Sequence, residues 1–343
     1  MMVAANVKTA VYVSNADSGD IWVLHLDADR GELAPVQRMM VGGSVMPLAL
    51  APGHRHLYAV RRSDPLEVLS FSIDAQSGQL TRIGEAPLPH SMAYIATDRS
   101  GCFLFSASYG GHQIAVSPID SRGVAKASTQ VLPTPPNAHA IQADPSNRHV
   151  LAACLGGGVM LAFRFDASTG RLDTHPFREF SPHPGASPRH FVFAKEGGRI
   201  YLLNELDASI DLLAFDASSG SLSTVQTISS LPSGFDGEAW AADLHLTPDG
   251  RFLFSSERRS STLAAFRIDA ASGRLELVGH TPTEAQPRGF RITADGRFLL
   301  SAGQLSHRVS VHAIDARTGE LQKRSDCAVG QNPNWIETVT LDA

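Results

Sequence analysis

Cysteine is nearly absent from this 343-residue chain. Its three copies, Cys102, Cys154 and Cys327, are too few and too widely spaced for a disulfide framework or a thiolate zinc site, which points to a reducing compartment. Long apolar runs are missing too. No segment reaches the roughly 20 residues of a membrane span, and Met1 to Ala10 has one lysine and no stretch of signal-peptide length, so the cytoplasm is the expected location, away from membranes. Positive charge is short overall, with a net charge of −5 that argues against a nucleic-acid partner, because phosphate backbones need clustered positive charge. Lysine occurs only four times and arginine supplies the other basic residues. That preference suits carboxylate or phosphate binding, and it also follows from genomic base composition. Several site motifs are missing as well: there is no Gly-Lys-Ser/Thr phosphate loop, no dinucleotide glycine fingerprint and no Gly-x-Ser-x-Gly elbow. The pair His54 and His56 flanks a turn with no third ligand near it, so no metal site is expected there.

What the chain does have is a repeat. Hydrophobic content of 43% with 18% charged residues describes a globular protein able to bury a core. Six segments share the form Asp, three variable residues, Gly, one variable residue, Leu, beginning at Asp27, Asp74, Asp166, Asp216, Asp269 and Asp315; a shorter copy runs from Asp120 to Gly123. Successive aspartates lie 47, 46, 46, 50, 53 and 46 residues apart, the period of a four-stranded propeller blade. Seven copies predict an all-β, seven-bladed β-propeller occupying residues 1–343 as one domain. Each copy follows an alternating strand such as Ile21-Trp-Val-Leu-His-Leu26, so the motif reads as a hairpin tip. A second turn, seen in Pro248-Asp-Gly-Arg-Phe-Leu-Phe254, links the first two strands of a blade. The first unit lacks an inner strand, whereas Pro333 to Leu341 is a spare one. Pairing it beside residues 10–14 closes the ring with both ends of the chain.

In such a blade the first strand starts on the rim where the second ends. Inner strands are expected to start near Pro47, His90, His139, Pro188, Ala241, Pro287 and Pro333, and second strands to finish near Asn15, Arg61, Tyr109, Gly156, Glu205, Arg258 and Gln304. His139, Arg189, Glu205, Arg258, Arg61, Tyr109 and Arg288 should therefore encircle one mouth of the channel, a group suited to an anionic substrate. Arg62 is a further candidate for a distal anion. Taken singly, each residue also reads as an ordinary loop or packing residue; their shared rim is what favours function.

The sequence resembles the propeller-type bacterial 6-phosphogluconolactonases from about residue 10 to 340. The resemblance is carried by Gly185-Ala-Ser-Pro-Arg-His190 with Asn204-Glu-Leu206, by Trp240-Ala-Ala-Asp243 with His245, and by Pro282-Thr-Glu-Ala-Gln-Pro-Arg-Gly289. Ala302-Gly-Gln304 with Ser306-His307, and Val329-Gly-Gln331 with Trp335, complete it. The same superfamily is similar to a fungal propeller enzyme that interconverts a carboxymuconate and its lactone. That resemblance implies a catalytic set of one histidine, two arginines and a glutamate, which match His139, Arg189, Arg258 and Glu205. Relatives often read Asp-Leu-Gly followed by Asp-Arg where this chain has Cys154-Leu-Gly156 and then Gly157-Gly158.

The activity implied is hydrolysis of a sugar-acid lactone, with 6-phosphogluconolactone foremost and an aldaric lactone as the alternative. His139 or Glu205 is expected as the base, and Arg189 and Arg258 as oxyanion and anion partners. Arg61, Tyr109, Arg288 and Gln304 are expected to contact substrate. No metal or organic cofactor is required, and a monomer or weak dimer is anticipated. A non-catalytic binding propeller is the rival from another class. It is separated by substitution: His139→Ala, Glu205→Gln and Arg258→Ala are expected to abolish turnover with little change in melting temperature.

Overall fold

A computed structural model describes residues 8–342, which form twenty-nine strands and no helix. These assort into seven antiparallel sheets, one per blade, six of four strands and one of five, running from the centre outward. The inner strands are Pro333–Thr340, Val45–Leu50, Tyr94–Thr97, Ala138–Ala143, Pro188–Phe193, Ala241–Leu246 and Pro287–Ile292. Each packs against the next in that order and the last returns to the first, giving the closed seven-bladed propeller that the repeat predicts. In the first blade Thr9–Asn15 pairs with Asp20–Asp27 on one side and with Pro333–Thr340 on the other, Thr9 facing Thr340. Strands from both ends of the chain thus share one sheet, and the edge of Thr9–Asn15 is covered.

The repeated residues have a common geometry. In all six full copies the glycine N–H donates to the aspartate carbonyl at 2.6–2.8 Å. The same glycines sit at φ between +66° and +83°, a region other residues enter at a cost. The motif also joins neighbouring blades. Tyr12 Oη donates to the carbonyl of Gly78 at 2.8 Å, Tyr58 to Gly123 at 3.1 Å and Tyr201 to Gly273 at 2.8 Å. Gln37, Gln130 and Gln226 each exchange two hydrogen bonds with the backbone of the motif leucine next door, Leu80, Leu172 and Leu275. Leucine is required for the core between blades, and its exposed peptide is satisfied by glutamine.

The fourth blade departs from the pattern. Its outer strand is broken into Arg171–Leu172 and Arg178–Phe180, both paired with Val159–Asp166. Pro176 lies in the interruption, where the missing N–H cannot extend the ladder.

Candidate active site

Six of the seven inner strands break register at their first residues. In the fourth blade Ala138 faces Cys154 and Ala140 faces Ala153, leaving His139 unpaired between them. Arg189, Ala242, Arg288 and Asn334 occupy the same place in the fifth, sixth, seventh and first blades. A bulge of this kind leaves one residue out of the ladder and re-aims its side chain. The propeller therefore presents a ring of bulged residues around one mouth of its channel, and three of them are His139, Arg189 and Arg288.

A second ring comes from the ends of the second strands. In six blades the residue just beyond that end donates its N–H to a carbonyl that precedes the inner strand of the same blade: Ala16 to Asn332, Arg62 to Ser44, Leu155 to Asn137, Glu205 to Ser187, Arg258 to Trp240 and Gln304 to Gln286, at 2.7–3.2 Å. Arg62 is the counterpart of Glu205 and Arg258, whereas Arg61 is one residue early and still within its strand.

The two rings meet at Glu205. Its Oε2 accepts from Arg189 Nε at 2.6 Å and lies 3.0 Å from Arg258 Nη2, and its Oε1 accepts from Trp240 Nε1 at 3.2 Å. Burial alone would raise the Glu205 carboxyl, but Arg189, Arg258 and Arg288 outweigh it and hold it below its usual range, so it is ionised. The Arg258 guanidinium lies 3.7 Å from the Trp240 ring centroid and donates to the carbonyls of Trp240 and Ala241. Arg288 has no protein hydrogen bond or ion pair among the described residues; burial, Arg189 and Arg62 all act against its charge. Arg62 donates to Ser91 Oγ at 2.9 Å. His139 is 4% exposed and its Nδ1 lacks a hydrogen-bond partner. Burial first, and then Arg189, His190, Arg288 and Arg258, push its pKa well below that of free histidine, so the imidazole is neutral. The edge of the Tyr109 ring meets it at 5.8 Å between centroids.

Beneath this group the channel is crossed by three rings from three blades. Tyr94, His190 and Trp335 have centroids 5.1, 5.4 and 5.8 Å apart and form a floor. Asp243 lies at the same level, bonded to His190 Nδ1 at 2.8 Å and to His245 Nε2 at 3.1 Å. Below them a cavity of about 410 Å³ opens toward the opposite rim, lined by Gln142, His245, Arg291 and Glu337, and none of the four residues expected to be catalytic borders it. A depression of about 740 Å³ flanks the upper mouth between Leu155–Gly158 and Ser181–Ser187, beside the broken outer strand of the fourth blade.

The structure thus brings together His139, Arg189, Glu205, Arg258, Arg288 and Tyr109. It does not bring Arg61, whose guanidinium pairs with Glu67 and donates to the carbonyl of Pro65 at 3.1 Å; Arg62 takes its place. Gln304 is on the rim, but its amide accepts from Gln286 at 3.1 Å and donates to Asn332 at 2.7 Å. Arg62, already a candidate for the distal anion, differs from Arg61 by a one-residue offset at a strand end. Trp240 and the pair His190 and Asp243 were visible in the sequence only as motif members. A charged residue inside an otherwise apolar inner strand, as in Ala241-Ala-Asp-Leu-His-Leu246, is the signal that marks Asp243.

Residues 8–338 match the family described as lactonase, 7-bladed beta-propeller. Over 98% of its length the chain is 44% identical to the whole of a 6-phosphogluconolactonase from Pectobacterium carotovorum subsp. carotovorum strain PC1. It is 43% identical over the same share to its counterpart in Pectobacterium atrosepticum. Among solved structures, a periplasmic gluconolactonase of Pseudomonas aeruginosa superposes with a TM-score of 0.89 at 26% identity, covering 98% of this chain and 100% of that one.

Proposed function

The chain belongs to the lactonase family of seven-bladed β-propellers, and on that premise we propose that it hydrolyses 6-phosphogluconolactone to the open-chain acid. The observation that carries the choice of substrate is a charge count. Around the mouth, the guanidinium groups of Arg62, Arg189, Arg258 and Arg288 stand against the single carboxylate of Glu205, leaving three net positive charges in that layer. Glu205, with Asp243 on the floor below, offsets only part of their mutual repulsion. A phosphate monoester brings about two negative charges at neutral pH, and attack on the ring carbonyl develops a third. A neutral gluconolactone or a singly charged aldaric lactone would leave the cluster undercompensated. The Pectobacterium relatives are named for the phosphorylated substrate.

In the reaction water adds to the ring carbonyl through an oxyanion, the bond from that carbon to the ring oxygen breaks, and the ring oxygen leaves as a hydroxyl. His139 takes the proton from water and gives it to the ring oxygen as that oxygen leaves. It is neutral, while both oxygens of Glu205 are occupied by Arg189, Arg258 and Trp240. Arg189 and Arg258, held by Glu205, face the oxyanion; Arg288 and Arg62 hold the phosphate, which they can grip in a bidentate manner. Tyr109 closes the side of the site beside His139.

Acid release from three lactones tests the assignment. The expected order in kcat/KM is the phosphorylated aldonolactone first, with aldaric and unphosphorylated gluconolactones at least about tenfold lower, one charge-assisted contact being worth about that much. Equal rates on all three would reject the phosphate reading, and turnover of none would reject hydrolysis.

A further inference from the structure

The floor of the site contains a hydrogen-bonded string that hydrolysis as described above does not use. Arg189 Nη1 lies 3.2 Å from His190 Nε2, His190 Nδ1 lies 2.8 Å from Asp243 Oδ1, Asp243 Oδ2 lies 3.1 Å from His245 Nε2, and His245 Nδ1 lies 3.4 Å from Arg291 Nη1. The roles along it are forced. An ionised carboxylate only accepts, so each imidazole nitrogen facing Asp243 carries the proton. Burial, chiefly, lowers the His190 pKa to about 4, so that ring is neutral and its other nitrogen is an acceptor turned toward Arg189, which can only donate. Asp243 is 7% exposed and His190 4%, and the backbone N–H of Leu244 adds a third donor to the carboxylate at 3.0 Å.

We propose that His190, with its tautomer fixed by Asp243, is a positioning residue that holds the Arg189 guanidinium in the plane needed for the developing oxyanion. Arg189 is gripped at two points, Nε by Glu205 and Nη1 by His190, which leaves its remaining nitrogen free to face substrate. Glu205 alone would leave the guanidinium a rotation about the bond it grips; the imidazole acceptor removes that rotation. His190 is itself confined by Tyr94 and Trp335 on the floor and by the His139 ring, whose centroid is 5.1 Å away. The inference rests on the reading of Arg189 as the group that meets the oxyanion.

Two substitutions of His190 separate positioning from mere packing. Glutamine can place an amide oxygen where Nε2 accepts from Arg189, and gives up the bond to Asp243. Asparagine can keep the donor to Asp243, and gives up the acceptor for Arg189. On the full chain, H190N is expected to lower kcat by about 10²-fold, the scale of a misplaced reacting group, with KM within about threefold, while H190Q stays within about tenfold of the native kcat. The native protein should also show imidazole nitrogen shifts for His190 with the proton on Nδ1 at neutral pH. A folded H190N at least as active as H190Q, or a proton on Nε2, would overturn the proposal. If H190N does not fold, H190Q and the nitrogen shifts still decide. Arg189→Ala is measured alongside. Its collapse with an unaffected H190N removes the positioning role alone, whereas full activity of Arg189→Ala removes the reading of Arg189 and the inference with it.

Discussion

Glu205 shows how a carboxylate can belong to both stability and chemistry. It is 9% exposed and balances two arginines that are buried to 1% and 3%. A charge removed from such a set leaves its partners uncompensated, at a typical cost of about 3–5 kcal/mol. Glu205→Gln is therefore expected to lower the free energy of unfolding by about that amount in a urea titration, contrary to the small change in melting temperature that the sequence suggests. A change below 1 kcal/mol would mean that solvent or relaxation already shields Arg189 and Arg258. His139 gives a prediction of opposite character. Its pKa is depressed by burial and by Arg189, His190, Arg288 and Arg258, so an anion bound among those arginines must raise it. Following the imidazole by NMR, the pKa should rise by about one unit or more when the phosphorylated acid product binds. A pKa unchanged by the product would place the anion elsewhere.

At the scale of elements, the hairpin tips were legible because aspartate and glycine are needed at fixed offsets and nothing else closes that turn as well. Glycine in the turns answers two demands, which one substitution at a hairpin tip and one in the turn between the first two strands of a blade separate. Gly78 has φ +69° and a Cβ there would lie 2.5 Å from the Ala10 Cβ of the neighbouring blade, whereas Gly250, at φ +72°, has nothing within 4 Å. Gly250→Ala should cost about 1 kcal/mol from backbone strain alone, and Gly78→Ala clearly more because the blades must part. Equal losses in thermal or urea unfolding would show that the contact between blades is soft. The bulges that create the site were not legible, because one extra residue in a strand leaves no mark in an alternating pattern. A hint exists in Pro188, Pro287 and Pro333, which open three inner strands immediately before the bulged residue. The exchange of Arg61 for Arg62 has the same origin: strand ends are blurred by a residue in sequence, and one residue decides whether a side chain joins Glu67 or the mouth of the channel.

For the whole molecule, closure is what converts distant strand tips into a site. His139 and Arg258 are separated by more than two blades of sequence, yet the ring turns both toward the same mouth, where six of the seven blades supply one bulge position and one strand-end position. The period of the repeat was enough to predict the ring and the shared rim. It could not predict which rim residues carry free charge, because that depends on partners such as Glu67 for Arg61, and Gln286 and Asn332 for Gln304. Arg288 lacks such a partner among the described residues, and it is the group assigned to the phosphate. The ratio of kcat/KM for the phosphorylated lactone to that for gluconolactone, measured in the native protein and in Arg288→Ala, tests this most directly. The ratio should fall by about 10- to 100-fold in the variant, through loss on the phosphorylated substrate alone. A ratio that stays the same, with both substrates slowed equally or neither slowed, would contradict a mouth built to read the dianion.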